Sequence, residues 1–88
     1  MGMKEDFEKL VDKLKTERDE LKLKMHLGSM EAKEEFEEAE KVWTQVKAKA
    51  SEIADEAVET SDEYIGKARN VGEKLKETYH RLAKRISK

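Results

Sequence analysis

Apolar residues recur along this chain at alternating steps of three and four, and that period predicts helix almost from end to end. In the first arm they fall at Met3, Phe7, Leu10, Leu14, Leu21 and Met25, with a polar step at Glu17 or Arg18. From Ala32 the stripe runs through Phe36, Ala39, Trp43, Val46, Ala50 and Ile53, the heptad spacing of a left-handed coiled coil. Beyond Val46 the same face continues through Ala57, Ser61, Tyr64, Ala68, Gly72, Leu75, Tyr79, Ala83 and Ile86 with an eleven-residue period, which implies a nearly straight or weakly right-handed bundle. Val11, Leu23, Leu27, Met30, Val42, Val58, Ile65, Val71 and Leu82 widen the stripe beyond a two-stranded seam, so at least three helices are expected in cross-section.

Two places interrupt helix chemistry. Gly28 suits the left-handed position after a helix, and Ser29 is a good N-cap, so a turn is expected at 28–29 between a helix over 3–27 and a long helix over 30–87. The second place is Thr60-Ser61-Asp62-Glu63, where Thr-x-x-Glu ahead of Tyr64-Ile65 fits a capping box. A break at 60–62 is therefore the alternative. The unbroken eleven-residue phase across it favours one continuous helix.

Charge decides orientation. Residues 31–63 carry four basic and twelve acidic side chains, residues 64–88 eight basic and two acidic, and residues 1–30 seven of each. A parallel in-register pair would set like charges side by side, so an antiparallel arrangement is favoured. The expected fold is all-α, an elongated antiparallel helical bundle in a single domain over 1–88. In the preferred form the long helix, about 88 Å at 1.5 Å per residue, pairs with its copy about a two-fold axis near Val58, and each first arm folds back over it. Its interface would be Phe36, Trp43, Val46, Ala50, Ile53, Ala57, Tyr64, Ala68, Leu75, Tyr79, Leu82 and Ile86. In the alternative, the chain turns at 60–62 and closes as a monomeric three-helix bundle making the same contacts within one chain.

Candidate chemistry is sparse. A chain of 88 residues, 45% charged and without cysteine, has no thiolate nucleophile, no cysteine-ligated metal site and little room for a deep pocket of its own. Glu77-Thr78-Tyr79-His80 has the Glu-x-x-His spacing of di-iron bundles, but both side chains sit beside the Leu75-Tyr79-Leu82 face and the further inward carboxylates such a site needs are missing, with Glu17 the one inward position on the first arm. His26 reads as a helix-end residue facing the negative end of the helix dipole. The serines lack nucleophile-elbow glycines, and Gly28, Gly66 and Gly72 form no phosphate-binding loop. Trp43 and Tyr79 fall at core spacing and read as packed anchors. No catalytic residue, cofactor or metal is expected.

The expected role is a small structural or protein-interaction module that associates with itself as a homodimer and has no enzymatic activity. Another helical protein is a further candidate partner, held helix-in-groove along an apolar strip near the Gly28 turn or the chain ends. The basic segment, Arg69 through Lys88 interleaved with Leu75, Tyr79, Leu82 and Ile86, offers an alternative as an amphipathic helix on an anionic membrane surface, with nucleic acid less favoured still; the acidic segment would repel either polyanion if it lay on the same surface. The segment Lys47-Ala48-Lys49-Ala50-Ser51-Glu52-Ile53-Ala54-Asp55-Glu56-Ala57 resembles the Ala/Lys/Glu-rich repeats of late embryogenesis abundant and related bacterial stress proteins, a resemblance that implies a stress-protective role. The absence of cysteine fits a reducing compartment, Met1 to Asp6 lacks the apolar core of a secretion signal, and a cytoplasmic location is expected.

Overall fold

The computed structural model describes residues 2–55 and 60–86. They form three α-helices, α1 (Met3–Lys24), α2 (Met30–Ala54) and α3 (Asp62–Ile86), with a 3-10 turn at Met25–Leu27. The molecule measures 43 × 22 × 18 Å, about half the length that one continuous helix from residue 30 to 87 requires. The long helix is thus corrected to two shorter ones. The chain leaves helical geometry at Asp55, where ψ is 113° and the N–H reaches back to the Glu52 carbonyl at 3.2 Å. Helix resumes at Asp62 behind Ser61, whose hydroxyl accepts from the Tyr64 N–H at 3.2 Å. The cap is Ser61, one residue beyond the Thr60 expected from the capping-box pattern. Ala57 and Val58, placed at the centre of the expected dimer, lie outside the described residues.

The helices run up, down, up. Arg18 of α1 meets Glu40 of α2, Glu35 of α2 meets Arg81 of α3, and Glu17 of α1 meets His80 of α3, so α2 is antiparallel to both neighbours while α1 and α3 lie parallel. α3 packs extensively on both other helices, and α1 and α2 touch each other far less. The buried positions of α3 are Ile65, Ala68, Gly72, Leu75, Tyr79, Leu82 and Ile86, an uninterrupted three-four alternation. This corrects the eleven-residue period. Ile65 and Leu82 point inward, whereas Tyr64 is only partly covered and Ala83 is exposed. α2 and α3 each keep a heptad phase of their own, and the longer period arose from forcing a single phase across two helices.

The first turn is built by packing rather than by left-handed backbone. Gly28 has φ −84° and ψ 158°, and no described residue has positive φ. A Cβ on Gly28 would lie 3.2 Å from the Met25 carbonyl oxygen and 3.3 Å from the Met25 sulfur, so the missing side chain makes room for the chain to fold over buried Met25. Ser29 caps α2 as expected, its hydroxyl accepting from the Ala32 N–H at 3.1 Å. His26 donates from Nδ1 to the Leu23 carbonyl at 2.8 Å; a carbonyl only accepts, so this nitrogen carries the hydrogen. It satisfies one of the free carbonyls at the end of α1.

One core joins all three helices, with Phe7, Leu14, Val46, Ile53, Tyr79 and Leu82 essentially sealed from solvent. Burying such side chains contributes roughly 1.5–3 kcal/mol each, so the apolar seam supplies the stability. Gly72 faces α1 at close range, a Cβ there lying 3.0 Å from Leu10 Cδ2, while at Gly66 the nearest neighbour is the flexible Met3 tip at 3.6 Å. Gly66→Ala is therefore expected to raise the unfolding free energy by about 0.5–1 kcal/mol, because helix propensity improves and nothing is displaced. Gly72→Val is expected to lower it by about 1–3 kcal/mol by wedging α1 off α3. Urea denaturation followed by circular dichroism measures both.

Candidate functional site

A polar layer crosses the core about two-thirds of the way along α1, where the heptad calls for an apolar residue and the sequence has Glu17-Arg18. Arg18 turns toward α2 and holds Glu40 with both ends of its guanidinium, Nε to Oε1 at 2.6 Å and Nη2 to Oε2 at 2.7 Å. These hydrogen bonds hold the Glu40 carboxyl below the ordinary carboxylate range against the opposing effect of burial, and they raise the Arg18 guanidinium further. Glu17 turns the other way, toward α3, where its Oε1 meets His80 Nε2 at 3.1 Å. Its second oxygen, Oε2, is buried with no hydrogen-bond partner. The Tyr79 hydroxyl is in the same position, on a residue only 1% exposed. Burial, reinforced by the negative field of Glu40, pushes the Tyr79 phenol well up, so it is neutral throughout the physiological range.

Other parts of the Glu17 and Tyr79 side chains border a cavity of about 540 Å³ between the C-terminal halves of α1 and α3, while the two unpartnered oxygens themselves are sealed from it. Leu21, Leu27, Ala83, Ile86 and the Tyr79 ring form its apolar wall. Glu17, Glu20, Lys24 and His80 supply its polar groups. Leu27 also belongs to a second feature of this end of the bundle. Leu23, Leu27 and Met30 are 76%, 68% and 75% exposed, large apolar side chains at the surface on either side of the Gly28 turn.

Most of the twelve residues expected at a dimer interface lie inside the bundle. Phe36, Trp43, Val46, Ile53, Ala68, Leu75, Tyr79, Leu82 and Ile86 are buried in the core of the single chain, Ala50 and Tyr64 flank it half-covered, and Ala57 falls outside the described residues. The seam was recognised, but it closes within one chain. Tyr64 instead donates its hydroxyl to Glu52 at 2.6 Å, with Lys49 above its ring at 5.2 Å. The Glu77 and His80 pair does not converge: Glu77 is exposed, His80 faces Glu17, and among the described residues no three His, Asp or Glu side chains gather around a common point that suits a metal ion. Leu23, Leu27 and Met30, read in the sequence as part of the buried stripe, are surface residues. Their position off the line through Leu14, Leu21 and Met25 was the available signal. Glu17 was visible as a polar step, but its neighbours across α3 were not.

No helix among the described residues is long and apolar enough to cross a membrane. Comparison with protein-family models, with curated proteins and with solved structures gives no match for this chain.

The Arg18–Glu40 clamp makes stability depend on pH in a defined direction. Glu40 has a folded pKa below its unfolded value, so its contribution is fully present above about pH 4.5 and is lost as pH falls through the lower folded value. Glu40→Gln is expected to cost about 1 kcal/mol at pH 7 and to flatten the acid limb of the stability profile. Thermal melts of both proteins between pH 7 and pH 3 check this; parallel acid limbs would contradict it.

Proposed function

We propose that this chain is a non-catalytic helical interaction module that associates with a second copy of itself through the apolar end of the bundle around the Gly28 turn. The observation that carries the reading is the exposure of Leu23, Leu27 and Met30 on a chain that is 45% charged and whose other large apolar side chains, among the described residues, are covered. The flanks of this patch differ in sign. Lys22, Lys24 and His26 lie on the α1 side, and Glu31 and Glu34 on the α2 side. A two-fold axis through the patch sets the basic flank of each copy against the acidic flank of the other, the self-complementarity an isologous contact needs.

The alternative of a basic amphipathic helix lying on anionic lipid is less well supported. It needs the apolar face of α3, and that face is the core of the bundle; Arg81 and Arg85 are moreover engaged with Glu35, Arg85 Nη1 to Glu35 Oε2 at 2.6 Å.

Size-exclusion chromatography with multi-angle light scattering is expected to return twice the 10.2 kDa chain mass at tens of micromolar. The double variant Leu23→Lys, Met30→Glu is expected to return the single-chain mass with unchanged helicity, because each new charge suits the helix end it occupies. A monomeric wild type would overturn self-association. A dimer that survives the double variant would move the contact away from this patch.

A further inference from the structure

We propose that Met30 is an oxidation switch: conversion of its thioether to the sulfoxide by a peroxide withdraws the apolar end of the bundle from contact with a second copy. This regulation rests on the self-association proposed above.

The sulfur of this chain resides in four methionines, because it has no cysteine. Among the described residues are three of them, and the fold treats each differently. Met25 is 8% exposed, folded under the first turn with its sulfur 3.3 Å from the point where a Cβ on Gly28 would stand. Met3 is half-buried at the opposite end of α1, roughly 30 Å from the turn at 1.5 Å per residue, with its tip beside Gly66 of α3. Met30 is 75% exposed, in the same apolar patch as Leu23 and Leu27. A peroxide in solvent therefore meets the Met30 sulfur ahead of the other two, since access governs which thioether is oxidised.

The step is a two-electron oxidation of sulfur. A sulfur lone pair attacks one oxygen of hydrogen peroxide, and the O–O bond breaks as the S–O bond forms. The departing oxygen takes up the proton of the transferred one and leaves as water. A thiol-dependent sulfoxide reductase reverses the change, two thiols becoming a disulfide while the oxygen leaves as water.

The product alters what the patch can do. A sulfoxide oxygen is a strong hydrogen-bond acceptor, and burying it against leucine without a donor carries the cost of any unpaired polar group. A two-fold contact places Met30 of both copies in one interface, so that cost is met twice. The fold itself is spared, because Met30 opens α2 with its side chain in solvent, and the cap belongs to Ser29. Peroxide reaches the sulfur on the dissociated chain, and the sulfoxide then holds that chain apart.

Hydrogen peroxide is the probe, with peptide mass mapping and size-exclusion light scattering as readouts. In dilute protein Met30 is expected to gain one oxygen severalfold faster than Met25 and ahead of Met3. The oxidised chain is expected to show the single-chain mass with unchanged circular dichroism, its dimer dissociation constant raised about tenfold or more. Sulfoxide reductases with dithiothreitol are expected to restore the dimer. Met3→Leu is expected to respond to peroxide as the wild type does, whereas Met30→Leu is expected to show the same mass before and after treatment. An untreated chain that is already monomeric would overturn self-association, and the switch with it. An untreated dimer that keeps its mass once Met30 carries the oxygen, a response retained in Met30→Leu, or oxidation of Met25 ahead of Met30 would overturn the switch alone.

Discussion

The apolar stripe of α3 is the constraint on which the rest of the molecule depends. From Ile65 to Ile86 it presents a face too wide for one neighbour, so two helices must cover it, and α1 and α2 do so from opposite sides. Their mutual contact is slight because each is held to α3 rather than to the other. Gly72 is where this matters most: with no side chain there, Leu10 and Leu14 of α1 come down onto the α3 backbone. The parallel pairing of α1 with α3 then follows from the two reversals of the chain.

Charge sets the direction of the α2–α3 pairing without supplying its strength. Glu31 with Arg85, Glu35 with Arg81, and Glu52 with Tyr64 are symmetric about position 58, the same register that an antiparallel pair of separate chains would adopt. Exposed ion pairs of this kind contribute under about 1 kcal/mol, less than one buried leucine. When the same surfaces meet within a chain, the partner is always at hand, whereas a second molecule must be recruited from solution. Closure within one chain therefore follows once the helix is interrupted. The interruption is local: extended backbone at Asp55 ends α2, and the Ser61 hydroxyl starts α3 one residue out of the phase that α2 would have carried forward.

The Glu17-Arg18 step shows how two adjacent polar residues in a core position meet opposite fates. Arg18 reaches a carboxylate on α2 and is satisfied on both sides of the fork, which makes the layer a clamp between the two helices that otherwise touch least. Glu17 faces a tyrosine that fills the core but leaves its hydroxyl, like one Glu17 oxygen, without a partner. The cavity lies beside this mismatch, toward the turn.

Much of this was legible from the chain as written. Step spacing gave the helical content but carried one helix over 30–87 where the structure has two, Ser29 gave the start of α2, and the opposed charge of residues 31–63 and 64–88 gave the antiparallel pairing. Leu75, Tyr79 and Ile86 were recognisable as core because they stand at helical spacing among charged neighbours. Other features were not legible, since they depend on what lies across a gap rather than along a helix. Whether Ile65 or Tyr64 points inward turns on where helix restarts, and a side-chain hydroxyl at Ser61 decides that by one residue, rotating every later position by about 100°. Gly28 is needed for the space beside Met25 and not for its backbone angles, and Leu23 is exposed because no third helix reaches it. Periodicity reports which residues share a face; only packing in three dimensions determines what that face meets.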